Sequence, residues 1–87
     1  MRVRVIVSGR VQGVWFRESC RRQAAAHRVA GWVENRQDGT VLAVFEGAAS
    51  DVAHMVAWCR EGPSHALVTG VEVTEEPPEQ LRGFGVR

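Results

Sequence analysis

The chain has 87 residues, a net charge of +1, and 45% hydrophobic residues. This length suits one small domain, and we expect residues 1–87 to form it alone. The composition excludes a disordered chain, and the near-neutral charge argues against a protein whose main work is non-specific nucleic-acid binding.

The chain shows no pattern of membrane insertion or export. Its apolar stretches are too short to cross a bilayer, and residues 1–8 carry charge without the apolar core or cleavage site of a signal peptide. We therefore expect a cytoplasmic protein with no membrane association, and we expect it to be a monomer.

The first half of the chain predicts a strand, a helix and a hairpin. Alternating valines indicate a strand over residues 2–8, and good helix formers indicate a helix over about 15–27, after a loop with two glycines. Residues 29–35 and 40–46 have the β-branched and apolar character of strands. The Asp-Gly pair between them is typical of a hairpin turn.

The second half predicts a helix and one or two strands. Ser50 is a suitable N-cap, and the helical spacing of apolar residues continues until Gly62-Pro63 ends it. Residues 66–74 alternate as a strand, residues 75–80 are acidic and proline-containing and predict a solvated loop, and residues 84–86 suit a short last strand.

The predicted order of elements is β-α-β-β-α-β with a small extra strand. The natural closure is an α+β fold of ferredoxin-like type, with an antiparallel sheet and two helices on one face. Cys20 and Cys59 fall in the two predicted helices. We expect buried free thiols in a reducing cytosol, although a disulfide between neighbouring helices stays open.

The segment best suited to chemistry joins the first strand to the first helix. Its loop residues are Gly9, Arg10, Val11, Gln12, Gly13 and Val14. Free N–H groups at a helix N-terminus attract anions, and glycine lets an anion approach the backbone closely. Arg17, about one turn into the helix, could add a bidentate fork to the same anion. A simple strand–helix turn with a solvated Arg17 remains the alternative.

Asn35 is the second candidate, because it lies where the second strand meets its turn. Asparagine is common in turns for its own backbone geometry. Its amide also both donates and accepts hydrogen bonds, so it could hold a water molecule at a fixed angle. In the predicted fold the end of this strand could lie close to the first loop.

The remaining reactive residues form no recognisable pattern. The two cysteines make no CxxC pair, the three histidines are scattered, and no serine–histidine or cysteine–histidine pair is evident. We expect no metal and no cofactor.

Two stretches of the chain resemble the two signatures of the acylphosphatase family. They are GRVQGVWFR over residues 9–17 and GWVENRQDGTV over residues 31–41, at the family's spacing. Gly62-Pro63 with Ala66 and Val68, and the final residues 84–87, also fit, so the resemblance covers essentially the whole chain.

The resemblance implies the ferredoxin-like fold and the hydrolysis of acyl phosphates to carboxylate and inorganic phosphate. It further implies that amides of the loop from Gly9 to Val14 hold the phosphoryl group, that Arg17 binds it, and that Asn35 positions the attacking water. Phosphate or another oxyanion would occupy the same site. Because the family varies at the positions of Trp15 and Arg36, the resemblance assigns neither a role.

Three other functions are compatible with this fold. An RNA-binding module would need exposed aromatics on the central strands, whereas the third strand has only Phe45. A small-molecule sensing domain would bind phosphate without turnover. An acylphosphatase-like domain also occurs inside a larger hydrogenase-maturation protein. We favour the free-standing enzyme.

Overall fold

The computed structural model describes residues 1–87 and contains five strands and two helices. In chain order these are β1 (Arg2–Arg10), α1 (Phe16–Ala26), β2 (Ala30–Asn35), β3 (Val41–Glu46), α2 (Ala49–Glu61), β4 (Leu67–Glu76) and β5 (Phe84–Val86). The predicted order of elements, including the short last strand, is confirmed. Neither helix is long and apolar enough to cross a membrane.

The strands form one sheet in the order β4-β1-β3-β2-β5. The pairs β1–β4, β1–β3 and β2–β3 are antiparallel, as predicted. The fifth strand differs, because β5 lies parallel to β2 and makes the sheet mixed. After β4 at one edge the chain crosses to the opposite edge before it enters β5, so the two edge strands are not joined as a hairpin.

The core lies between the sheet and both helices. Alternate residues of β1 and one stripe of each helix share this face: Val3, Val5 and Val7; Phe16, Cys20 and Ala24; and Val52, Met55 and Cys59. Residues two apart in a strand, and three or four apart in a helix, share one face. Each element can therefore bury one apolar face.

Cys20 and Cys59 are free thiols, fully buried between α1 and α2. The hydrogen bond with Cys59 and the burial raise the pKa of the Cys20 thiol above its usual range. A thiol held protonated in this way is a poor nucleophile at neutral pH.

The end of β1 and the start of α2 differ from the sequence prediction. Strand β1 continues through Gly9 and Arg10, because a β-bulge after Ser8 lets its pairing with β4 resume. Helix α2 begins at Ala49 rather than after Ser50, and its N-cap is Ala48, whose carbonyl accepts the N–H of Val52. The predicted capping role of Ser50 is therefore wrong.

Residues 75–80, which were predicted to be a solvated acidic loop, are only partly so. Glu75 and Glu76 belong to β4, and Glu76 lies 3.2 Å from the guanidinium of the buried Arg2. The carboxylate of Glu46 accepts three backbone N–H groups of the following segment, from Glu79, Gln80 and Leu81. Buried charges therefore anchor the crossing that leads to β5.

Replacing Glu46 with glutamine should reduce the pH dependence of stability in acid. The backbone N–H groups of residues 79–81 hold the pKa of Glu46 below its ordinary value of 4.5. A lowered folded-state pKa adds stability above that ordinary value, and the contribution disappears as the pH falls through the folded-state pKa. Glu46→Gln should therefore lower the free energy of unfolding at pH 7. As the pH falls, the free energy of unfolding should decrease less in this variant than in the parent chain.

Urea unfolding from pH 7 down to about pH 3 measures this difference. The exposed Glu75→Gln in β4 is the matched control and should keep the acid dependence of the parent chain. Equal pH slopes for Glu46→Gln and the parent would contradict the assignment.

Candidate active site

The candidate residues lie together at the edge of the sheet that is formed by the carboxyl ends of β1 and β2. Strands β1 and β2 are both antiparallel to β3 and hence parallel to each other, so their carboxyl ends lie at the same edge. Val41 at the start of β3 pairs with Val7 on one side and Asn35 on the other. Ordinary strand spacing then separates Val7 from Asn35 by about 10 Å. The β1–α1 loop (residues 11–15) therefore leaves the sheet close to Asn35.

The side chain of Gln12 joins this loop to the β2–β3 turn. Its Nε2 donates to the carbonyl oxygen of Arg36 at 2.7 Å and to that of Thr40 at 2.9 Å. Those two residues are also paired by their own backbone, since the Arg36 N–H donates to the Thr40 carbonyl. Sequence reasoning expected only a backbone role for Gln12, and no local pattern indicates this long-range bridge.

Replacing Gln12 with alanine should cost stability, because it removes one of the two donors at each of two part-buried carbonyls, which then keep only the backbone N–H groups of Gly39 and Arg36. Two neutral hydrogen bonds of this kind contribute about 1–3 kcal/mol together. Gln12→Glu should be at least as harmful, since a carboxylate would face both carbonyls with acceptors only. Chemical denaturation measures the loss, and the exposed Gln37→Ala in the same turn is the control. A loss no greater than that of the control would contradict the bridge.

Gly9 and Gly13, both at this edge, differ in the space around their Cα atoms. Gly9 has φ +118, and a Cβ there would lie 2.2 Å from the carbonyl oxygen of Leu67 in β4. Gly13 has φ +74, but a Cβ there would meet nothing within 4 Å. Gly9 is thus required by close strand contact, whereas Gly13 borders open space.

Helix α1 begins without a side-chain cap. Trp15 is its N-cap residue and has left-handed backbone angles, φ 65 and ψ 24, which cost about 1–3 kcal/mol for a residue other than glycine. No side chain accepts the free N–H groups of the first turn. A helix N-terminus of this kind presents donors and positive potential to an anion.

Arg17 is held by the last residues of the chain. Its Nη1 donates to the main-chain oxygen of Arg87 at 2.9 Å. Arg87 is in turn fixed by its N–H, which donates to the Val33 carbonyl, and by its guanidinium, 4.1 Å from the centre of the Trp32 ring. The hydrogen bond from Nη1 thereby orients the Arg17 guanidinium group. Its remaining N–H groups make no hydrogen bond within the chain.

A pocket of about 410 Å³ lies at this edge, within the usual range for small-molecule sites. Its lining residues are Val11, Gly13, Trp15, Phe16, Arg17, Glu18, Asn35 and Val86. The structure thus brings Arg17 and Asn35 into one pocket with two of the predicted loop residues.

Four other loop candidates lie outside that lining: Gly9 and Arg10 in β1, Gln12 in the bridge, and Val14 in the core. Conversely, sequence reasoning gave no site role to four lining residues: Trp15, Phe16, Glu18 and Val86. Trp15 and Phe16 lie within the first signature and Glu18 directly follows it, so adjacency to Arg17 was the available indication for them.

Arg17 is the only basic side chain in the lining, and Glu18 is the only acidic one. Glu18 forms two hydrogen bonds with Arg21, at 2.6 and 2.8 Å, and lies 3.5 Å from Arg22. The bond to Arg21 is the main reason that the pKa of Glu18 is lowered to about 2. Its negative charge is therefore shared with two guanidinium groups rather than directed at the pocket.

No group of three or more histidine, cysteine, aspartate or glutamate side chains is placed to hold a metal ion. His27 and His54 do stack, with ring centres 3.6 Å apart, but neither lines the pocket.

Comparisons with known proteins bear on the family and the fold of this chain. The acylphosphatase family model matches residues 3–86. An acylphosphatase of Rubrobacter xylanophilus is 61% identical over 99% of this chain and 79% of its own length. The structure of an acylphosphatase from Coxiella burnetii is 40% identical, with a TM-score of 0.95 over 99% of this chain and 90% of that one.

The same fold also occurs within a much longer protein. T. kodakarensis HypF is 30% identical, with a TM-score of 0.86, over the whole of this chain but only 12% of HypF. The family model accounts for nearly every residue here, and the alignment with the Rubrobacter relative spans 79% of that relative's length. The chain therefore belongs to the acylphosphatase family of hydrolases.

Proposed function

We propose that this chain hydrolyses the carboxyl–phosphate bond of acyl phosphates, releasing a carboxylate and inorganic phosphate. The observation that carries the proposal is that Arg17 and Asn35 line one pocket at the uncapped N-terminus of α1. One group suited to a phosphoryl anion and one suited to a water molecule thus share a single space.

The phosphoryl group would lie against the start of α1. Backbone N–H groups of the β1–α1 loop and the unused N–H groups of Arg17 would neutralise its oxygens. Gly9 and Arg10 were included in this cradle on sequence grounds, but they pair with β4 inside β1. We therefore assign the cradle to residues 11–15, with Gly13 leaving room for close approach.

The attacking water would be held by the Asn35 amide, which can donate to one atom and accept from another. A neutral amide also avoids the repulsion that a carboxylate would exert on a phosphate dianion. The position of Asn35 is set by its pairing with Val41 and by the Gln12 bridge to the adjoining turn.

The reaction needs little else from the protein. A bond forms between the water oxygen and phosphorus while the bond from phosphorus to the acyl oxygen breaks, and its electron pair leaves with the carboxylate. A carboxylate has an ordinary pKa of about 4, so it departs without a general acid. Positioning and charge neutralisation are then the main catalytic tasks.

The water proton would pass to an oxygen of the substrate phosphate. Glu18 is the only carboxylate in the lining, and with a pKa of about 2 it is a weak base. An essential side-chain base in the pH–rate profile would count against this route.

Hydrolysis of acetyl phosphate by the purified chain in excess EDTA tests the proposal. We expect turnover that persists with EDTA and is inhibited competitively by inorganic phosphate. A correctly folded chain that binds phosphate without turnover would instead support the sensing domain. An RNA-binding module would need exposed aromatic rings on which bases can stack. Phe45 is fully buried and stacks on Phe84, so it cannot serve in this way.

A further inference from the structure

Trp15 is unusually exposed for its type. The residue is 77% accessible, although tryptophan is normally well buried because it has so much apolar surface. It also stands in a left-handed backbone conformation that favours glycine or asparagine. Neither feature helps folding, and strained residues that persist are concentrated at functional sites.

A second exposed apolar residue borders the same pocket. Val86, at the end of β5, is 43% accessible and lines the pocket together with Trp15. The lining thus combines a polar part, Arg17 and Asn35, with an apolar part that is open to solvent. An acyl phosphate has the same division, because its phosphoryl end is charged and its acyl end carries the organic group.

We propose that Trp15 and Val86 bind the acyl group, and that the chain prefers acyl phosphates whose acyl group is aromatic or bulky and apolar. This inference rests on the proposed function. Trp15 immediately precedes the first residue of α1, so its side chain is attached next to the backbone amides assigned to the phosphoryl group. A flat indole face suits an aromatic acyl group, whereas a methyl group would cover little of it.

Two variants separate the ring from the backbone conformation. Trp15→Asn removes the ring but tolerates left-handed angles, and Trp15→Phe keeps an aromatic face. The control is Val73→Ala, which removes exposed apolar surface from β4 outside the pocket. For each protein kcat/KM is measured with benzoyl phosphate and with acetyl phosphate, and each value is divided by the parent value for the same substrate.

We expect Trp15→Asn to lower the benzoyl value about tenfold more than the acetyl value, since one aromatic contact and its buried area are lost. Trp15→Phe should retain most of the preference, and Val73→Ala all of it. Inhibition constants for phenylphosphonate and methylphosphonate provide a readout without turnover, and the phenyl compound should lose its advantage in Trp15→Asn.

Equal losses for both substrates would overturn the inference and assign Trp15 to loop geometry. No loss for either would also overturn it and leave Trp15 as a surface for another partner. Failure of the parent chain to hydrolyse either substrate would refute the proposed function itself, and is thus distinguishable from both.

Discussion

Replacing Arg17 with glutamine should lower kcat/KM for acetyl phosphate by at least about 10²–10³-fold and weaken inhibition by phosphate. Arg17 is the only basic side chain lining the pocket, so no neighbour can substitute for its charge. Glutamine keeps some polarity but presents neither the charge nor the fork. Steady-state rates and the phosphate inhibition constant, measured on protein shown to be folded by circular dichroism, provide the test.

Two companions sharpen the Arg17 experiment. Arg17→Lys keeps the charge but loses the bidentate geometry, so its rate should lie between those of the parent and Arg17→Gln. Arg60→Gln removes an exposed arginine of α2 outside the pocket and should behave as the parent. If Arg17→Gln behaved as Arg60→Gln does, phosphoryl binding by Arg17 would be refuted.

Replacing Asn35 with alanine should lower kcat by about 10²-fold or more while phosphate inhibition stays close to that of the parent. The amide is assigned to the water rather than to the phosphoryl group, so binding and turnover should separate. Measurement of kcat beside the phosphate inhibition constant gives both quantities from one set of assays.

Asn35→Asp distinguishes water positioning from a general need for a polar side chain. Its carboxylate keeps the size of the amide but would repel a phosphate dianion, so phosphate inhibition should weaken as well. Gln37→Ala, in the same turn but exposed, is the control. Full turnover in Asn35→Ala would show that water placement does not depend on this residue.

The sequence patterns that succeeded are local ones. Alternation along β1 and the helical spacing in α2 each reflect burial of one face, and that burial is encoded by neighbours in the chain. Gly62 and the following proline ended α2 as predicted, because a helix stop depends on backbone geometry at a few residues. The two signatures contain Arg17 and Asn35, and the folded chain brings both side chains into the lining of one pocket.

Two of the errors, at Gly9 and at Glu76, fall where the partner is distant in the chain. Gly9 was assigned to a loop, but pairing with β4 extends the strand through it. Glu76 was assigned to solvent, but Arg2 at the other end of the chain holds it in β4. In each case a local tendency to form a turn or loop was outweighed by hydrogen bonds or charges that exist only after folding.

Local pattern was thus sufficient for the elements and for the face each buries, whereas Arg17 and Asn35 were selected by the family resemblance and their roles stay predictions. Only the folded chain shows that Gln12 bridges to the β2–β3 turn, that Arg87 orients Arg17, and that Trp15 stands exposed beside them. The reason is physical: contacts between residues 24 to 70 positions apart depend on how strands align, and neither end of such a contact carries a local sign of its partner.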